Sequence, residues 1–295
     1  MRDAGGMSRR RQALPERLHE RIFSVADAPE LSRARLRGAD LAAPFYGVRL
    51  PSGRPPTLLE RCRARATRLP SSVFFSHLTA ARLHGLPIPH GADDRLHISA
   101  RAGSQAPRGK GVTGHVLTVA DGDVIVSAGV SLTSAARTFH DLATVLPLSA
   151  LVAVGDELLR RGITKDQLLS SVRAGGRGCR LVCRAAELLD EASESPKESE
   201  LRVVLIEAGF PRLACNHVVR DEYGRFVARV DLAHPERRIA VEYEGDHHRD
   251  KRQWRQDLKR RRRLEALGWR YFSVTQADLD DPADLFDDLR TAFAG

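Results

Sequence analysis

Three acidic side chains near the C-terminal end of the chain stand where acids are costly unless they act together. In the run 239–244, Ile239, Val241 and Tyr243 alternate with Ala240, Glu242 and Glu244, so two carboxylates share one face of a strand. The run before it carries Asp231 between Val230 and Leu232. A hairpin turning at Pro235-Glu236 would set Asp231 across from Ala240, with Glu242 as its diagonal neighbour at about 7–8 Å between Cα atoms. Carboxylates that lean together repel unless a proton or a cation lies between them. Oxygen ligands of this kind suit Mg²⁺ or Mn²⁺. The plainer reading is a surface ion pair with Arg229 or Arg238.

Glu198 is a candidate further member of this group. It follows Ser195-Pro196, a helix start, and shares a helical stripe with Leu201, Leu205 and Ala208. It either closes a capping box or reaches the same cation. After the carboxylate strand come Gly245, which allows a sharp exit, and His247 and His248, either of which could act as a base or donor. No third and fourth ligands stand at zinc-like spacing around these histidines, and Cys179/Cys183 and Cys215/His217 are isolated pairs. Trp254, Leu258 and Leu264 give the next stretch an apolar helical stripe. Its other faces are cationic, either simply solvated or set to follow a phosphate backbone. Arg249, Lys251, Arg252, Arg255, Lys259 and Arg260 are the residues expected against nucleic acid, with Asp257 paired to Arg260 or Arg261.

The elements that must position these residues read as α-β-β-β-α-β-α: a helix over 195–208, strands over 217–220, 226–232 and 238–244, a helix over 250–267, a strand over 270–274 and a helix over 282–293. The 295 residues divide by composition and punctuation into four segments. Residues 1–70 are Arg-rich, with helices expected at 13–26 and 31–41 before an extended 46–50, either a degenerate winged helix or a helical cap. Residues 71–172 form an α+β domain. It has a helix at 79–84 preceded by Ser76, strands at 96–99 and 112–119, a return strand at 123–128 across Asp121-Gly122, and helices at 133–146 and 148–161. Residues 173–192 are a Gly/Arg linker and a connecting helix, and 193–295 form the C-terminal domain. The fold class is therefore mixed α/β, a smaller α+β domain preceding the αβββαβα core.

The net charge is +9 and the pI about 9.9, which favours a polyanionic partner. Only five of the 47 basic residues are lysine, however, and Arg, Ala and Leu richness also follows from a GC-rich genome. No apolar run reaches a membrane span, and no secretory signal is visible. Four cysteines do not make a disulfide framework at this length. A cytoplasmic protein is expected, with no membrane partner.

The blocks 194–202, 229–233 and 240–249, then Asp257 with Arg260, then Leu267-Gly268-Trp269, resemble an actinobacterial domain family allied to very-short-patch-repair (Vsr) endonucleases, within the PD-(D/E)xK, restriction-endonuclease-like superfamily. The resemblance covers about 193–293. It implies a Mg²⁺- or Mn²⁺-dependent DNA endonuclease, RNA not being excluded as substrate. Asp231 and Glu242 would be its central metal ligands, Glu198 the helix-borne acid and His248 the histidine after the glycine. Glu244 stands where the superfamily has Lys, leaving Arg249, Lys251 or His248 as the positive groups that could replace it. Segments 76–87 and 133–143 resemble the AbiEi-type antitoxins of type IV toxin–antitoxin systems. That second resemblance implies the alternative: a non-catalytic DNA-binding regulator with a toxin partner and a degenerate nuclease domain.

Overall fold

The computed structural model describes residues 12–19, 21–51, 55–172, 175–245 and 251–294, without the side chains of 251–255. Packing groups the chain into two units, Met1–Thr79 with Asp94–Thr133, and Ala80–Asp93 with Ser134–Gly295. The four segments drawn from the sequence follow composition; these two units follow contact. The architecture is mixed α/β, as the sequence pattern predicts.

In the first unit, β1 (Phe23–Ser24), β2 (Leu41–Ala42) and β3 (Val48–Pro51) form a small sheet in the order β1-β3-β2. The helices expected at 13–26 and 31–41 are not there. Their place is taken by single 3₁₀ turns at Glu16–Leu18, Val25–Asp27 and Arg35–Arg37. Pro15 and Pro29 bracket the first stretch, and the Ser24 hydroxyl accepts the Ala26 amide, which favours a tight turn over a helix. In the second, the buried Arg35 forks onto Asp40 at 2.7 and 3.1 Å across Gly38. Leu18, Phe23, Leu31, Leu36 and Leu41 close on each other as a miniature core.

Helix α1 (Leu58–Ala66) begins with a Thr57–Glu60 capping box. Strand β4 (Val73–Phe75), helix α2 (His77–Leu83) and strands β5 (Leu96–Arg101), β6 (Val112–Leu117), β7 (Val124–Ser127) and β8 (Val130–Thr133) follow. The five strands order as β6-β5-β4-β8-β7. The hairpin expected across Asp121-Gly122 does not form. Strand β6 pairs parallel to β5, and β7 pairs with β8. Ala128 and Gly129 join β7 to β8 with φ of 48° and 80°, the two positive values that match a two-residue turn to strand twist.

The second unit adds α3 (Ala135–Leu142), α4 (Leu148–Arg160), α5 (Lys165–Leu169), α6 (Cys179–Leu188) and α7 (Pro196–Glu207). Then come β9 (Ala214–Arg220), β10 (Phe226–His234), β11 (Ile239–Tyr243), α8 (Lys251–Ala266), β12 (Arg270–Val274), α9 (Gln276–Asp280) and α10 (Ala283–Ala294). From α7 onward this is the expected order, with the short α9 added. The sheet runs β12-β11-β10-β9, and only the β11–β12 pair is parallel. Leu201 and Leu205 of α7 and Leu289 of α10 pack with Leu232 and Val241. Leu264 of α8 and Trp269 pack with Ala233 and Ala240. Helices therefore cover both faces.

A buried ion pair locks α7 to α4. Arg202 and Asp156 are each about 1% exposed, with Nη2 2.6 Å from Oδ2. Asp156 also accepts the Ser199 hydroxyl at 2.7 Å and the Asp190 amide at 2.8 Å, while Arg202 donates to the Leu188 carbonyl at the end of α6. Gly155 lets α4 approach the end of α6: a Cβ there would stand 2.4 Å from Leu189 Cδ2. Removing one partner strands the other charge in the interior. Arg202→Met and Asp156→Ala are each expected to lower unfolding free energy by about 3–5 kcal/mol in urea titration. An Asp156→Leu/Arg202→Met double variant should recover much of that loss.

Candidate active site

The β10–β11 connection is one 3₁₀ turn, Pro235–Arg237, followed by Arg238 at φ 49°. This moves the register from the one expected. Leu232 faces Val241 and Ala233 faces Ala240, so Asp231 lies directly across from Glu242 rather than diagonal to it. On the other side, the pairs Val230–His217 and Leu232–Cys215 bring Asn216 of β9 alongside Asp231. Glu242 in turn pairs with Ser273 of β12. A polar row, Asn216-Asp231-Glu242-Ser273, thus crosses the sheet.

Glu198 joins this row from the start of α7. The Ser195 hydroxyl accepts the Glu198 amide at 3.1 Å, as an N-cap should. The Glu198 carboxylate does not close the expected box onto Ser195. Its Oε2 accepts the Glu194 amide at 2.8 Å and the Asn216 side chain at 2.9 Å. Asn216 adopts φ 48°, which asparagine tolerates better than most residues. Glu198 is 9% exposed and Glu242 5%.

Asp231 accepts the Tyr243 amide at 2.9 Å through Oδ2. Burial raises its carboxyl from 3.8 to about 6; the Tyr243 amide opposes the rise, Glu198 and Glu242 add to it, and Arg260 offsets part. Burial raises Glu242 too, against the pull of Arg260 and the Tyr271 hydroxyl, and Glu244 adds to the rise. Glu244 is half-buried at the strand end, its amide bonded to the Val274 carbonyl at 2.7 Å.

The cation that meets these charges is Arg260 of α8. Its guanidinium forks onto Glu242 at 2.9 and 2.5 Å, with Asp257 at 3.8 Å. Burial is the largest influence on that charge and works against it, but Glu242, Tyr271 and Asp257 together hold the guanidinium above its usual range. Tyr271 donates to Glu242 Oε2 at 2.8 Å. The ion-pair partners suggested by sequence are corrected accordingly. Arg229 forks onto Glu194 and Arg238 donates to the Leu267 carbonyl, so neither holds Asp231 or Glu242. Arg260, expected against nucleic acid, faces inward. Lys259, Arg262 and Arg263 are exposed, and Arg261 lies 5.2 Å over the Tyr271 ring. His248 and Arg249 lie outside the described residues, as do the side chains of Lys251, Arg252 and Arg255.

The donor set has the hard-oxygen chemistry of a Mg²⁺ or Mn²⁺ site. Asp231 and Glu198 fit that role without rearrangement of an ion pair, whereas Glu242 is committed to Arg260. Among the described residues, the three acids do not bring one oxygen each within 4.8 Å of one another. Sequence reasoning missed Asn216, Tyr271 and the inward turn of Arg260. The available signals were an asparagine amid β residues and a tyrosine in the strand beside the acidic one.

No protein-family model matches the chain. It is 31% identical over 156 residues to two uncharacterized proteins of Mycobacterium tuberculosis, MT2308 of strain CDC 1551 / Oshkosh and Rv2248 of strain ATCC 25618 / H37Rv. The match spans 52% of this chain and 57% of each relative, little more than half their length. The crystal structure of the RV2827C protein from Mycobacterium tuberculosis aligns with 70% of this chain and 85% of its own at 14% identity, with a TM-score of 0.41. Among the described residues, no helix is long and apolar enough to cross a membrane.

The Asp231 carboxyl sets a pH dependence of stability. A folded value of about 6 against 3.8 unfolded gives a contribution intact below pH 3.8 and lost as pH rises through 6. Asp231→Asn keeps an oxygen for the Tyr243 amide and carries no charge. In EDTA it should match the parent near pH 4 and exceed it by about 2–3 kcal/mol above pH 7. Thermal melts at the two pH values test this, and equal stabilities at both would refute it.

Proposed function

We propose that the chain is a Mg²⁺- or Mn²⁺-dependent nuclease of the Vsr-like, PD-(D/E)xK type, acting on DNA in the cytoplasm, where its four free cysteines stay reduced. The observation that carries the reading is the carboxylate row itself. Asp231 is half-buried beside Glu198 and Glu242, its pKa is raised, and among the described residues Arg260 meets the negative field. Perturbed acids clustered in this way are a recurrent mark of catalytic sites. Asp231 and Glu198 would hold the ion, with Glu242 contributing once Arg260 turns toward a phosphate. A bound ion would neutralise scissile-phosphate charge and acidify a water. Arg260 stabilises the row until then, and its five donors suit either a carboxylate or a phosphodiester. Lys259, Arg262 and Arg263 on the exposed side of α8 supply sequence-independent backbone attraction.

Plasmid nicking with Mn²⁺ tests the proposal. Cleavage should fall at least 100-fold in Asp231→Ala and in Glu198→Gln, an effect of the size expected for lost transition-state charge stabilisation. Unchanged nicking in both variants rejects it.

A second reading has its own support, the Arg260 fork on Glu242 together with Glu244 at the Lys position. An internal guanidinium that permanently occupies the cationic place would leave a non-catalytic DNA-binding regulator, with a toxin as its partner. That reading expects DNA binding that falls steeply with salt yet persists in EDTA and in Asp231→Ala, and no nicking by the parent protein.

A further inference from the structure

In the first unit, three histidines far apart in sequence come together. His77 opens α2, His97 lies on β5 and His115 on β6. The parallel register sets His97 against Thr113 and Ser99 against His115, so His97 and His115 project from the same face of adjacent strands. His97 Nδ1 stands 3.0 Å from His115 Nε2. The His77 ring stacks on His115 with centroids 3.7 Å apart, and the His97 and His115 centroids are 5.1 Å apart. One nitrogen from each ring falls within 4.8 Å of the others.

We infer that His77, His97 and His115 form a binding site for a divalent transition ion of the zinc class, separate from the Mg²⁺-type chemistry proposed for the carboxylate row. Tetrahedral nitrogen ligands at 2.0–2.1 Å stand roughly 3.3 Å apart, close to the His97–His115 separation. Imidazole is a preferred donor for Zn²⁺, Co²⁺, Ni²⁺ and Cu²⁺ and a poor one for Mg²⁺. His77 and His97 are each 2% exposed, while His115 is half-buried, so the site has two interior ligands and one toward solvent. Three protein ligands leave a fourth position for water.

Two further features fit. The Ser76 hydroxyl lies 2.8 Å from His77 Nδ1 and 2.6 Å from the Ser99 hydroxyl. Such a bond fixes the orientation of the ring, as outer-shell partners of metal-bound histidines do. His77 also sits at φ 47°, a conformation that is costly for a residue with a Cβ and that concentrates at ligand clamps. Loading requires the His77 and His115 rings to turn out of their stack so that their lone pairs converge.

Titration of the full-length Asp231→Ala variant with Co²⁺ tests the inference without interference from the carboxylate row. One equivalent should bind saturably with the intense visible band of a four-coordinate ion, and Zn²⁺ should displace it. His115→Ala, at the half-exposed position, should weaken binding by more than about 100-fold with unchanged far-ultraviolet circular dichroism, and Ser76→Ala by about 10–100-fold. A six-coordinate spectrum, no saturable binding up to millimolar Co²⁺, or a folded His115→Ala protein that binds like its parent would overturn the site. The spectrum of the parent alone decides the matter if His115→Ala does not fold.

Discussion

The C-terminal unit depends on one buried charge pair. Asp156 gathers α4, the chain entering α7 and α7 itself through Arg202, Ser199 and the Asp190 amide. Neither charge has water to fall back on, so each requires the other in place. The pair sits one helical turn from Glu198, which shares α7 with Arg202. It therefore fixes how far the first turn of that helix reaches toward β9, and with it the bond from Asn216 to Glu198. The apolar stripe of Leu201 and Leu205 supplies the gross attraction of α7 to the sheet, and the ion pair supplies its rotation and depth.

The carboxylate row shows the same economy of charge in a more exposed setting. Across-strand pairing puts Asp231 and Glu242 side by side on the face covered by α8. There the apolar neighbours Ala233, Ala240 and Leu264 raise the cost of ionisation. The fold answers with Arg260, whose guanidinium spans both Glu242 oxygens. A site that already contains its counter-ion is stable without a metal. It also keeps a cation within reach of any phosphate that approaches, and both functional readings turn on which partner Arg260 takes.

Much of the C-terminal unit was legible in the chain. Alternation over 239–244, the Ser195-Pro196 helix start and the apolar stripes pointed to every element from α7 to α10 except the short α9. The carboxylates were found because acids inside apolar strand runs are anomalous on local grounds alone. The N-terminal stretch was misread because its apolar residues have helical spacing, yet they fold as turns around a small core of their own. The β6–β7 hairpin was misread because Asp-Gly is a strong local turn signal, and pairing was decided instead by the twist-matched Ala128-Gly129 turn.

By itself, the sequence determined what most segments from 195 onward are: helix or strand, apolar face or polar face, and which acids stand out of place. These properties follow from neighbours within about a turn of helix or two strand residues, so they are written locally. Only the tertiary structure decided which charges meet. The Asp231–Glu242 register depended on one residue, Arg238, entering the left-handed region, and a two-residue change in turn length converts a diagonal neighbour into a facing one. The partners Arg260–Glu242, Arg202–Asp156 and the three histidines join residues 18 to 46 positions apart. Electrostatic and ligand geometry falls off over a few ångströms, and no periodicity in the chain encodes so short a distance between such remote positions.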